Sequence, residues 1–315
     1  MDTDRARVEA ALLDAVKTPD AYLTEIASHL ISAGGKRLRP VMTIAASLVG
    51  RDDQSASDDV IQGGIAVELV HLGSLYHDDV MDESETRRGV ETVNARWGNL
   101  QAILAGDFLL ARASEIAASL GTEVAGLLAR TIGRLCEGQI EELRHTYNMA
   151  RPIDSYFSSI DGKTASLYST ATRIGGIVAG HDRQTIDILT DYGTHYGMVF
   201  QIVDDILDVI STDEQLGKPA GHDAEEGVYT LPLLHTLAAG GAAAAELTAI
   251  LGKPLDHAER AKVLDIVRSN DGVSRAIDTA KTFVARAEQS CEALPKSVAT
   301  DALRDAAASL LSTVA

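Results

Sequence analysis

Six carboxylates in two copies of one pattern carry the first chemical suggestion in this chain: Asp78-Asp79-Val80-Met81-Asp82 and Asp204-Asp205-Ile206-Leu207-Asp208. Upstream of the first copy, Ile65, Leu69, Leu72 and Tyr76 recur at steps of three and four, which predicts a single helix face. The same period sets Asp78 and Asp82 one turn apart, with Asp79 beside them. Carboxylates this close repel unless a cation lies between them. Mg²⁺, bound by one or two carboxylates plus substrate phosphates, suits such a pattern. A single run of this kind is as readily a solvated acidic helix end. Two copies on separate apolar helical runs favour the metal.

Cationic motifs supply the complementary half. Gly34-Gly35-Lys36-Arg37-Leu38-Arg39-Pro40 places two helix-stopping glycines before three cations. Arg87-Arg88-Gly89 follows the first aspartate run, Lys163 lies in Asp161-Gly162-Lys163-Thr164, and Lys218 lies in Gly217-Lys218-Pro219. Two acidic clusters facing each other across a helical bundle would hold several Mg²⁺ ions and a diphosphate. That diphosphate would leave readily, with lysines and arginines stabilising the departing charge. The Gly-Gly-Lys-Arg-Leu-Arg turn reads as a second, metal-free anion site built from free N–H groups, a helix start and forked guanidiniums. Two such sites imply two diphosphate substrates. No Ser/His/Asp or Cys/His signature is present, so no covalent intermediate is expected.

The elements that must position these groups read as helices. Residues 4–32 form an amphipathic pattern broken at Pro19, and Pro40 opens a helix over 41–49. Asp58 and Asp59 suit the N-terminus of the helix leading to the first aspartate run. Helices are expected over 100–120, 122–147 and 184–210, with Asp154 capping a helix that holds Lys163. No strand pattern, linker or short repeat stands out. The expected fold is all-α, a single large helical bundle around a central cavity, with residues 1–315 as one domain. Hydrophobic residues make up 45% and aromatics 4%, with only 7 prolines, which favours helices packed through small side chains.

Charge and cysteine usage exclude other classes. A net charge of −18 argues against a nucleic-acid partner. Two cysteines, Cys136 and Cys291, offer no disulfide framework, so a cytoplasmic location is expected. The polar N-terminus has no apolar signal region, and no apolar run spans a bilayer.

In their order along the chain these motifs resemble the trans-polyprenyl diphosphate synthases, class I chain-elongating prenyltransferases of the isoprenoid synthase fold. The resemblance covers Gly34–Pro40, Glu68-Leu-Val-His71, Asp78–Asp82 with Arg87–Gly89, Leu104–Asp107, Gly162–Ala165, Phe200–Asp208 and Gly217–Pro219. It implies that Asp78 and Asp82, supported by Asp79, and Asp204, with Asp205 and Asp208, bind about three Mg²⁺ ions per site. It implies that Arg87, Lys163 and Lys218 contact an allylic diphosphate primer. Lys36, Arg39, His71 and Arg88, with Arg37 as a neighbour, would hold isopentenyl diphosphate. Thr164 and Gln201 would line the carbon chain and stabilise the allylic cation. The implied reaction is ionisation, condensation and proton loss, with released pyrophosphate taking the proton. A homodimer, loosely membrane-associated through its lipid product, is the implied assembly.

Product length is the finer expectation. In this family, bulky side chains one turn before the first aspartate run floor the cavity; here Gly73 and Ser74 stand there, favouring geranylgeranyl or a longer polyprenyl product. Bulk near Leu135 and Cys136 would close the cavity lower down. His71 alone on an apolar helix would ordinarily be structural, and His77 keeps that reading. A class I terpene cyclase is the nearest rival, opposed by the intact second aspartate run and the Lys36–Arg39 turn. A non-catalytic subunit of a heteromeric synthase is opposed by both intact runs, and an acidic metal-buffering protein by the cationic motifs.

Overall fold

The helix that carries the first aspartate run is mostly apolar through its middle, with Glu68 the one charged residue there. Between Gly63 and Val70 every residue is buried, so this segment has no solvent face and must be enclosed by other helices. The computed structural model describes residues 2–51, 55–212 and 220–314, and helices account for 76% of it. The order opens with α1 (Asp2–Ala15), α2 (Ala21–Ser32), α3 (Leu38–Ser47) and α4 (Asp58–Met81). Then come a two-strand hairpin, β1 (Thr86–Arg87) and β2 (Val90–Glu91), and α5 (Val93–Trp97), α6 (Asn99–Ser119) and α7 (Thr122–Leu143). After α8 (Ile153–Ile160), a π-helical turn at Asp161–Ala165, α9 (Ser166–Val178) and α10 (Arg183–Ile210), the chain ends in shorter helices between His222 and Leu311.

Two compact units divide the chain, one of residues 1–132, 167–193 and 293–303, the other of 133–166, 194–292 and 304–315. In the first, small residues let helix backbones touch. A Cβ at Gly64 would meet the Pro40 backbone at 3.1 Å, and one at Gly175 would lie 2.2 Å from the Thr43 carbonyl. Ser57 caps α4, accepting from the Val60 N–H at 3.3 Å, and Asp58 and Asp59 sit in its first turn as expected.

The hairpin is a departure from the sequence reading. Arg87-Arg88-Gly89 forms a tight β-turn with positive φ at both central residues, Arg88 (54°) and Gly89 (77°), the geometry a two-residue hairpin requires. Strands of two residues are too short to show an alternating pattern. Asp154 also differs: Pro152 occupies the N-cap of α8 and Asp154 lies in its first turn. Helix α7 ends at Leu143, four residues before Tyr147, and Tyr147 takes a φ of 58°.

Candidate active site

The three carboxylates at the end of α4 occupy three environments. Asp79 turns inward and is 1% exposed, Asp78 is half-buried, and Asp82 is exposed as the C-cap, donating its N–H to the Asp78 carbonyl. Arg87, on β1, donates from Nε to Asp79 Oδ1 at 2.6 Å. Asp79 Oδ2 is buried with no hydrogen-bond partner. Burial raises the pKa of Asp79, and the Arg87 guanidinium opposes without cancelling it.

Around His71, about two α4 turns earlier, the same unit gathers cations. Burial holds its imidazole well below the usual histidine range, and Arg39, Arg88, Arg87 and Arg37 push in the same direction, so His71 is neutral at pH 7. Arg39 is buried with its guanidinium 4.6 Å from the centre of the Tyr168 ring, and its Nε has no hydrogen-bond partner. Arg88 reaches back from the hairpin to the carbonyls of Leu30 and Gly34. Lys36 is exposed. Arg37 differs from its neighbours: its side chain is 0% exposed and bound to Glu9, Glu68 and the Ile31 carbonyl.

Gly73 and Ser74 separate in role. A Cβ at Gly73 would meet the Gly106 carbonyl at 3.0 Å and Leu110 at 3.3 Å, so this glycine is spent on the contact between α4 and α6. Ser74 is half-buried and donates to the His71 carbonyl at 2.8 Å. Leu135 is half-buried and Cys136 exposed on α7.

The second unit holds the other motif in a continuous hydrogen-bond chain. Thr164 Oγ1 donates to Gln201 Oε1 at 2.7 Å, and Gln201 Nε2 donates to Asp205 Oδ1 at 2.8 Å. Tyr156 donates to the other carboxylate oxygen of Asp205 at 2.5 Å. Burial raises Asp205 to about 7, while the Tyr156 and Gln201 hydrogen bonds pull it down. Asp204 is exposed and Asp208 buried. Lys163 Nζ pairs with Glu142 at 2.8 Å. Both Lys163 and Thr164 ride on the π-helical turn, a feature that recurs at functional sites. Glycines hold that turn in place. A Cβ at Gly138 would lie 2.5 Å from the Lys163 nitrogen, and one at Gly197 would lie 2.5 Å from the Ala165 Cα. Lys218 lies outside the described residues.

Sequence reasoning missed Tyr156, Arg151 and Glu142. Arg151 is buried, donates to Ser159 at 2.6 Å and to the Tyr229 carbonyl at 3.2 Å, and sits 5.6 Å from the Tyr156 ring. Nothing in the local pattern around Tyr156 marks it, because its partner Asp205 is 49 residues away.

The donor set fits a divalent metal of the Mg²⁺ kind. Each aspartate run offers hard carboxylate oxygens, and Asp79 keeps one of its own unclaimed by hydrogen bonds. Among the described residues no three His, Cys, Asp or Glu side chains converge into a ready-made cage. An ion that takes one or two carboxylates and completes its shell with substrate phosphates needs no such cage.

An all-α chain with paired aspartate runs and cationic turns is an isoprenoid synthase fold, and the comparisons agree. Residues 20–268 match the model of the Polyprenyl synthetase family, and the chain belongs to that family of prenyl-transferring enzymes. The nonaprenyl diphosphate synthase of Mycobacterium tuberculosis is 40% identical over 291 residues, 92% of this chain and 86% of that one. Component 2 of the heptaprenyl diphosphate synthase of Geobacillus stearothermophilus is 39% identical over 308 residues, 98% of this chain and 95% of that one. A solved polyprenyl synthase from Caulobacter crescentus, complexed with calcium and isoprenyl diphosphate, superposes with a TM-score of 0.93 at 33% identity, covering 100% of this chain and 96% of that one. The chain is therefore a trans-polyprenyl diphosphate synthase. No helix among the described residues is long and apolar enough to cross a membrane.

Proposed function

We propose that the enzyme condenses isopentenyl diphosphate with an allylic diphosphate primer, with Mg²⁺ as the metal, to give an all-trans polyprenyl diphosphate beyond farnesyl in length. The observation that carries this is the gathering of Arg39, Arg87 and Arg88 about a neutral His71 in a chain of net charge −18. Such a concentration of positive charge suits an anion, and an exposed Lys36 on the adjoining turn suits the same one.

Lys36, Arg39, His71 and Arg88 would bind isopentenyl diphosphate. Asp78, Asp79 and Asp82, with Asp204, Asp205 and Asp208, would hold about three Mg²⁺ ions per site, in line with the oxygen-rich coordination that ion takes. Bound metal would draw charge onto the leaving diphosphate and ease ionisation. Arg87, Lys163 and Lys218 would stabilise the departing pyrophosphate. The hydrogen bond from Thr164 to Gln201 orients both dipoles, and these would face the allylic cation. The released pyrophosphate would then accept the proton.

Ser74, half-buried and small, supports a long product, as do the product lengths in the names of the two curated relatives. The family match runs through segments of both units, which supports one synthase domain. Leu100 (74% exposed), Ile103 and Leu104 (66%) lie bare along α6, which supports burial against a second copy in a homodimer. A cytoplasmic location accords with the two free cysteines.

The test is direct. Purified enzyme is incubated with Mg²⁺, labelled isopentenyl diphosphate and geranyl, farnesyl or geranylgeranyl diphosphate in turn, and the products are sized. Lengthened allylic products are expected. Absence of incorporation with every primer refutes the reading.

A further inference from the structure

Arg37 is surrounded by anion-binding residues yet points away from solvent. Its guanidinium makes four hydrogen bonds: Nε to Glu9 Oε1 at 2.9 Å, Nη2 to Glu9 Oε2 at 3.1 Å, Nη1 to Glu68 Oε1 at 3.2 Å and Nη2 to the Ile31 carbonyl at 2.8 Å. A guanidinium has five N–H donors, so little remains for a ligand. The pairing with Glu9 is bidentate, the strongest geometry open to an arginine and a carboxylate. Arg37 also holds a left-handed backbone, φ 51° and ψ 39°, at the N-cap of α3. A non-glycine residue there costs free energy and persists only where its surroundings enforce it. Glu9 and Glu68 supply that enforcement.

The consequence falls on the neighbours. Lys36 and Arg39 flank Arg37 in sequence, so the backbone conformation of Arg37 sets where both side chains project. A Cβ at Gly35 would lie 3.0 Å from Arg88 Nη1 and 3.2 Å from Arg37 Nη1, so the turn threads between the two guanidiniums. Glu9 comes from α1, which precedes the segment matching the family model. We propose that Glu9 of α1 and Arg37 form a positioning pair that fixes the Gly34–Arg39 turn for isopentenyl diphosphate, with Arg37 itself making no contact to the substrate. This rests on the assignment of that turn to isopentenyl diphosphate.

α1 has a second latch that serves as the control. Arg7 bonds to Asp4, to the Ala56 carbonyl and to Asp58, all at 2.7 Å, and none of these partners lies in the turn. If Glu9 only helped dock α1, Arg7→Gln and Glu9→Gln would act alike. Positioning predicts that they differ.

Steady-state kinetics and calorimetric titration of isopentenyl diphosphate in the absence of primer make the test on the full-length enzyme. Glu9→Gln should raise KM and Kd for isopentenyl diphosphate about tenfold, the value of one charge-assisted hydrogen bond, and leave KM for the primer within about twofold. Arg37→Lys keeps the charge but cannot form the fork, so it should give the same selective loss even where Glu9→Gln expresses poorly. Arg7→Gln should leave both KM values at the wild-type level. Equal shifts for Glu9→Gln and Arg7→Gln, or equal loss for both substrates, overturn the proposal. Lys36→Gln separates this from the underlying assignment: unaltered isopentenyl diphosphate binding there refutes the reading of the turn and the positioning role with it. A raised KM in Lys36→Gln beside an unchanged one in Glu9→Gln refutes the positioning role alone.

Discussion

Gly138→Ala is the change whose cost the structure sets most directly. The added Cβ would stand 2.5 Å from the Lys163 nitrogen, 2.7 Å from the Ser159 carbonyl oxygen and 2.9 Å from the Gly162 carbonyl carbon. All three are backbone atoms, so no side chain can swing aside. Ordinary contact begins at 3.4 Å, and the two backbones must part by about 0.9 Å at the closest atom. Overpacking of this kind costs about 1–3 kcal/mol. That predicts a fall in Tm of roughly 2–4 °C per kcal/mol, read by scanning calorimetry. The displaced segment is the π-helical turn carrying Lys163 and Thr164, and the 2.7 Å hydrogen bond from Thr164 to Gln201 cannot survive a shift of that size. A misplacement near 1 Å costs on the order of 10²-fold in rate, so kcat for chain elongation should fall by about that factor. Gly133→Ala is the matched control on the same helix, because a Cβ there meets nothing within 4 Å. It should gain roughly 0.5–1 kcal/mol of stability from helix propensity and keep its rate. Wild-type Tm and kcat in Gly138→Ala, or an equal loss in Gly133→Ala, would refute the argument.

Three further outcomes are expected. Ser74→Phe should shorten the longest product, read by chromatographic sizing, whereas Gly73→Ala should lower Tm through its 3.0 Å contact with the Gly106 carbonyl; an unchanged product in Ser74→Phe counts against Ser74 as a length determinant. His71 binds its proton more weakly folded than unfolded, so its share of stability is complete above about pH 6.5 and is lost as pH falls below that value, by up to about 1.4 kcal/mol per pH unit. Tm should therefore drop more steeply between pH 6.5 and 5.5 in the wild type than in His71→Gln, and parallel curves would contradict a neutral His71. Chelation of divalent metal should abolish incorporation, and Mg²⁺ should restore it; full activity in excess chelator would remove the metal from the reading.

The helical plan was open to the sequence because it rests on local signals. The three- and four-residue steps through Ile65, Leu69, Leu72 and Tyr76 mark the buried face of one helix, and Pro19 does separate two helices. The order of the site motifs was legible for the same reason, since each is a short contiguous run. What escaped was set by contacts remote in sequence. Tyr156 acquires its role only when Asp205 arrives against it, and Arg37 looks like another ligand cation until Glu9 and Glu68 enclose it. Gly73 reads as open space in a sequence, yet the space is filled by the backbone of α6. The two-residue strands carry too few side chains to show any period.

The hairpin between α4 and α5 contains no slack. Its register is closed by two residues, and it delivers adjacent arginines to opposite duties: Arg87 to the Asp79 carboxylate, Arg88 to the carbonyls of Leu30 and Gly34. The turn thus encodes its information in length more than in identity. A Lys in place of either arginine weakens one partnership, but a single inserted residue would turn the register by one and offer each arginine the other's partner. Along this stretch the chain tolerates substitution far better than insertion, and a one-residue indel would break the Arg87 and Arg88 partnerships together.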